Sequence, residues 1–168
     1  MPSFKETYEA IKGDVSKGEK RFNVVCEGLM DEPGLKTEIT MGGGFKQILD
    51  APPGLDGTNE GPSPLLNILG AIGGCIVAVT RFWAKIMDVE VTSIKVMSRG
   101  HINLASIFGL DDDMLAGYDD LEPIVKITSP APKEKVEAMM EKVWSHCPIV
   151  TNMNMDSKLQ WKLKIKQE

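Results

Sequence analysis

Ser63-Pro64 opens the segment that decides how this chain can fold. A serine hydroxyl can cap free helix amides, and proline is tolerated at the first helical position because its missing N–H would be unpaired there. The spacing predicts a helix from here to about Met87. Ile68, Ile72, Cys75, Val79, Phe82 and Ile86 recur at intervals of three and four and share one face. Leu66, Leu69, Ile76 and Val77 make the opposite side apolar as well. A helix apolar on most sides belongs in the middle of a fold. Gly70, Gly73 and Gly74 each cost about 1 kcal/mol relative to alanine. Together they imply close approach of another backbone, expected to be a second helix.

That second helix is expected to open at Ser129-Pro130-Ala131-Pro132. Val136, Met139, Met140, Val143 and Trp144 form its apolar stripe, Cys147 extends the stripe four residues past Val143, and Pro148 ends it. Strands fill much of the rest. Phe22, Val24 and Cys26 alternate, Asp31-Glu32-Pro33-Gly34 reads as a turn, and residues 35–41 and 45–50 read as a hairpin joined by Gly42-Gly43-Gly44. Residues 51–62 are too rich in glycine and proline for a regular element. Strands are expected at 89–104, 123–128 and 158–166, with an acidic excursion at 105–121. The order predicts an α+β fold with a mainly antiparallel sheet, one domain over 1–168, led by a polar and partly helical stretch at 1–20 (Tyr8, Ile11, Val15).

Composition narrows the function classes. A chain of 168 residues can bury one proper core. Its net charge of -5 and pI near 5.1 argue against a nucleic-acid partner, because an acidic surface repels phosphate. Residues 1–20 contain no apolar signal region, and the run from Leu65 to Val79 is interrupted by Asn67 and glycines. The expectation is therefore a cytoplasmic chain with no membrane association. Three cysteines suit neither a secreted disulfide framework nor a zinc site.

Cys75 and Cys147 are the residues most able to carry chemistry. Each lies on the apolar face of its own predicted helix, so packing those helices together lets the thiols meet within disulfide range. A buried free cysteine is commonly inert. One that attacks must be a thiolate, which needs a nearby cation or helix N-terminus. The remaining candidates read more simply as structure. His101 is an isolated strand histidine, His146 diverges from Cys147 around the helix, and Cys26 packs in a strand. Asp111–Asp113 and Asp119–Asp120 lack the ligand alternation of a calcium loop. Gly42-Gly43-Gly44 lacks the lysine of a phosphate loop. Met139, Met140, Met153 and Met155 are core filler rather than a soft-metal site.

Phe45–Pro53, then Gly61-Pro62-Ser63-Pro64-Leu65-Leu66, then Gly70-Ala71-Ile72-Gly73-Gly74-Cys75, with His146-Cys147-Pro148 far downstream, resemble the OsmC/Ohr family of osmotically induced and organic-hydroperoxide-resistance proteins. The resemblance covers roughly residues 22–166. It implies an intertwined homodimer with two long central helices wrapped by sheets. It also implies a thiol peroxidase with Cys75 as the attacking thiol and Cys147 as the resolving one. The substrates would be organic hydroperoxides, the reductant an external dithiol, and no metal or bound cofactor would be needed. Two positions depart from the family pattern. The acidic residue expected just after the Ser-Pro step is Leu65 or Leu66 here, and no arginine lies between Arg21 and Arg81. Arg21, Arg81, Lys46 and Glu60 are the substitutes at hand. The alternative reading is a non-catalytic dimer that binds a small hydrophobic ligand.

Overall fold

The structure, a computed structural model, describes residues 2–153. The chain divides at Pro64 into two compact units. The expected strand at 158–166 lies outside the described residues.

The first unit opens with α1 (Phe4–Gly13), where Ser3 and Glu6 form a reciprocal capping box. A short 3₁₀ turn, Val15–Gly18, follows. The strands β1 (Val24–Gly28), β2 (Thr37–Met41) and β3 (Phe45–Leu49) form an antiparallel sheet in the order β1-β2-β3. Met41 pairs with Phe45 across the glycine turn. Gly43 and Gly44 both adopt positive φ there, at 85° and 81°, which glycine alone reaches without strain. The loop after β3 is more ordered than its composition suggests. It contains a 3₁₀ turn at Pro53–Leu55, and the carboxylate of Asp50 holds it together. That side chain accepts from the N–H groups of Leu35, Ala51, Thr58 and Glu60 and from the Thr58 hydroxyl. Burial pushes the Asp50 carboxyl up, but these donors outweigh it and hold it well below the usual carboxylate range.

The second unit is built on α2 (Pro64–Ile86), 23 residues long. Antiparallel β4 (Ser93–His101) and β5 (Asp120–Thr128) pair along their whole lengths. Between them lies a short α3 (Leu104–Ile107). The strand β5 starts three residues before the expected boundary, at Asp120, because the Asp119 N–H already bonds the His101 carbonyl and leads the chain into register. Pro123 sits within β5 opposite Ser98, a position open to proline because, among the described residues, β4 is the only strand paired with β5. The chain then forms α4 (Lys133–His146) and α5 (Pro148–Met153). Pro148 does end the first of these helices, but it also starts the second, which the sequence reading missed.

The core of this unit joins Ile72, Ile76 and Val79 of α2 to Val143, Cys147 and Val150 of α4 and its sequel. Two expectations about α2 need correction. Its buried face is Ile72, Ile76, Val79 and Thr80, whereas Ile68 and Phe82 are exposed. The glycines also do different work from one another. A Cβ at Gly73 would lie 3.3 Å from Ser98 Oγ and 3.6 Å from Val96, so its close neighbour is β4 rather than a helix. Gly70 and Gly74 face open space among the described residues. The helix runs to Ile86, close to the expected end at Met87 and past the Leu65–Val79 run. By length and mean hydropathy (1.8 over its most apolar window) it could cross a bilayer, although the core helix of a globular protein passes the same test.

Candidate dithiol site

Both candidate thiols belong to the second unit. Cys75 lies mid-way along α2, and Cys147 is the residue between α4 and α5, with extended backbone at φ -77°, ψ 116°. That break in the helix lets Cys147 stay on the stripe of Met139 and Val143, all three fully buried, while the chain turns into α5. The two sulfurs stand 3.4 Å apart and both are free thiols. A disulfide requires closure from 3.4 Å to ~2.05 Å, a shift within reach of side-chain rotation and small backbone adjustment. The pair is asymmetric. Cys147 has no solvent exposure, whereas Cys75 is partly exposed, so a solute reaches Cys75 first.

The electrostatics around Cys75 are unhelpful to a thiolate. Burial pushes its thiol up, the Ile149 backbone N–H pulls it partly back, and the neighbouring Cys147 pushes it up again. No cation is among the described groups that shift it. Arg81, on α2 itself, lies in a separate surface groove with Asp88 and Glu90. In the first unit Lys46 is bound to Glu38 at 2.7 Å. Glu60 is bound to Lys36 at 2.8 Å, with Glu32 on the same ammonium at 3.1 Å. Lys36 is buried, and Glu60 followed by Glu32 raises its pKa. Arg21 is exposed, just ahead of β1.

The weaker candidates are not brought to the thiols as reactive groups. His146 places Nδ1 2.9 Å from the Lys142 carbonyl and 2.8 Å from Ser145 Oγ, with its ring edge-on to Trp83 at 5.1 Å. His101 pairs with Asp119 at 2.8 Å. Cys26 is exposed on β1. Asp111 accepts the Asp113 N–H and closes a local turn. Met139 is core, Met153 is half exposed, and Met155 lies outside the described residues. Two groups escaped sequence reasoning. One is the Ile149 amide, because α5 was not foreseen. The other is Tyr118, whose hydroxyl donates to the Leu65 carbonyl at 2.8 Å and ties the acidic excursion to the start of α2.

With this geometry in place, comparison with known proteins is decisive for the family. The OsmC-like protein family model matches residues 57–162, well over half of the chain and the whole span from the loop before α2 past α5. The chain belongs to the OsmC family. Solved structures agree on the fold. An OsmC-like protein from Mycoplasma pneumoniae superposes with a TM-score of 0.69 at 17% identity, covering 84% of this chain and 93% of that one. An organic hydroperoxide resistance protein OsmC from Legionella pneumophila gives 0.60 at 14% identity over 80% and 90%. An organic hydroperoxide resistance protein from Elizabethkingia anophelis gives 0.61 at 14% over 82% and 91%. Among curated protein sequences none matches the chain. At such identities the structural matches speak for the OsmC fold, and the chemistry has to be argued from this chain's own thiols.

Proposed function

We propose that this OsmC-family chain is a thiol peroxidase that reduces organic hydroperoxides through Cys75 and Cys147. The observation that carries the reading is the 3.4 Å separation of two free thiols, one partly exposed and one fully buried. In the first step the Cys75 thiolate attacks the terminal peroxide oxygen. The O–O bond breaks, the alkoxide leaves and takes a proton to become the alcohol, and Cys75 becomes a sulfenic acid. Cys147 then attacks the Cys75 sulfur, water leaves, and a disulfide forms. An external dithiol reduces it by exchange, returning both thiols and becoming a disulfide itself. No metal or bound cofactor enters this cycle. A reducing compartment such as the cytoplasm would supply the dithiol.

The working unit in this reading is a homodimer. Leu66 on one side of α2, Ile68 and Phe82 on the other, and Trp144 on α4 are 39–60% exposed, which leaves apolar surface on both sides of α2 and on α4. A second copy that covers this surface would complete the burial of α2. The test is turnover of cumene hydroperoxide with dithiothreitol as reductant. Cys75→Ser should abolish it, and Cys147→Ser should form no intramolecular disulfide, leaving the Cys75 sulfenic acid to be recycled only by direct attack of dithiothreitol. Equal turnover by Cys75→Ser and the unaltered protein would refute the assignment.

One feature favours a second reading, a non-catalytic OsmC-like dimer that binds a small hydrophobic ligand. The Cys75 thiol is raised rather than lowered, as in cysteines kept for packing. On that reading the thiols survive excess hydroperoxide.

A further inference from the structure

Between β4 and β5 the chain makes an excursion that is fixed in shape at both ends. Asn103 caps α3, its side chain accepting the Ala105 N–H at 3.0 Å. After α3, Gly109 at φ 63° closes a Schellman turn, in which its own N–H donates to the Ser106 carbonyl and the Leu110 N–H to the Ala105 carbonyl. The Tyr118 hydroxyl on the Leu65 carbonyl and the Asp119 N–H on the His101 carbonyl fasten the far end of the excursion to the second unit.

The burial of α3 runs against its sequence. At about 100° per residue, Leu104, Ile107 and Phe108 share one side and Ser106 takes the opposite one. Ser106 is the buried residue, whereas the three large apolar side chains are 40–60% exposed. Leu110, just beyond them, is more exposed still. Single exposed apolar residues are ordinary, but a fixed arc of them marks a surface that another molecule covers. The charge beside it indicates the kind of molecule. Asp111, Asp112 and Asp113 follow Leu110 directly and are all exposed. None of them is in an ion pair among the described residues. No lysine or arginine occurs between Arg99 and Lys126. A second copy presenting this same face brings only like charge, and the phosphates of lipid or nucleic acid are repelled as well. Lysine or arginine beside apolar side chains complements both halves of the surface.

We propose that the outer side of α3 docks a basic amphipathic segment of a partner protein. The apolar stripe of that segment covers Leu104, Ile107, Phe108 and Leu110, and its lysines or arginines pair with Asp111, Asp112 and Asp113. Because α3 is capped at both ends before the partner arrives, little binding energy is lost to ordering this side of the contact. The surface uses none of the α2 and α4 residues assigned above to a second copy, and it does not depend on the peroxidase reading.

Fluorescence anisotropy of labelled synthetic peptides with the full-length protein tests the proposal. The first peptide is made of leucine and lysine at helical spacing. The second has the same composition, scrambled so that no apolar side forms, and the third carries glutamate in place of lysine. The expected result is saturable binding of the first, roughly tenfold weaker binding of the second and none of the third. Ile107→Ser with Phe108→Ser should weaken the first peptide about tenfold or more. Asp111→Asn with Asp112→Asn and Asp113→Asn should weaken it several-fold and flatten its dependence on salt. All these side chains are exposed, so both variants should keep the parent circular dichroism, and either alone decides the matter. Glu134→Gln with Glu137→Gln and Glu141→Gln removes the same charge from α4 and should leave binding as in the parent. Absence of saturable binding, equal affinity for the scrambled peptide, parent affinity in either α3 variant, or equal weakening by the α4 variant would each overturn the proposal. A parent dimer that becomes monomeric in Ile107→Ser with Phe108→Ser, by sedimentation, would also overturn it and give the patch to a second copy.

Discussion

The pH dependence of Cys75 is the most informative consequence of its surroundings. An ordinary cysteine, with a pKa of about 8.5, is a few per cent thiolate at pH 7. Burial first, and then Cys147, push the Cys75 thiol above its ordinary range, and the Ile149 amide compensates only in part. The thiolate fraction at pH 7 is then smaller still, and below the pKa it grows about tenfold per pH unit. The second-order rate of reaction with cumene hydroperoxide should therefore rise about tenfold per unit from pH 7 upward, with no plateau by pH 8.5. Stopped-flow mixing of the reduced protein, followed by thiol quenching, measures this rate directly. Stability is linked with a definite sign. A thiol raised in the folded state favours folding fully below the unfolded pKa, and this contribution is lost as pH rises through the folded value. Unfolding midpoints should thus fall above about pH 8.5 in the parent more than in Cys75→Ser. A rate plateau below pH 7.5 would refute this reasoning and would mean that a cation reaches Cys75 in the working assembly.

Three further predictions concern the scaffold. Asp50→Asn removes an acceptor for the donors that bind the loop, so the melting temperature should drop at pH 7. The drop should shrink toward pH 3, because the unfolded Asp50 takes up a proton near pH 4 while the folded carboxylate resists. An unchanged drop at both pH values would contradict this. Gly57→Ala would put a Cβ 1.8 Å from the Ala51 carbonyl oxygen, so the loop backbone must move. Urea unfolding should show a loss of about 1–3 kcal/mol or more. A neutral result would mean the loop adopts a different path. Val143→Ala empties part of a fully buried position beside Cys147, and its expected cost is roughly 2–3 kcal/mol by the same assay. A cost below about 1 kcal/mol would show that the site collapses around the smaller side chain.

Much of the scaffold could be read directly from the sequence. The Ser-Pro start and the long apolar period gave α2 almost to the residue, and the glycine turn between alternating segments gave the β2–β3 hairpin. Continuing the α4 stripe to Cys147 brought the two sulfurs together. The buried face of α2 was less legible, because a helix apolar on both sides offers two solutions and only the position of β4 and α4 selects one. The glycines misled for a related reason. An absent side chain does not reveal whether its neighbour is a helix, a strand or open space. Pro148 signalled a stop, but proline also suits the first turn of a helix, so α5 and the Ile149 amide were hidden. The binding role of Asp50 depends on partners up to fifteen residues away, which no local pattern encodes.

The most direct test of the dithiol account is the intact mass of the reduced protein after one equivalent of cumene hydroperoxide. The account predicts loss of two hydrogens, with a peptide map joining Cys75 to Cys147 and no such loss in Cys75→Ser. An unchanged mass, with both thiols still titratable, would contradict it and leave the ligand-binding reading in its place.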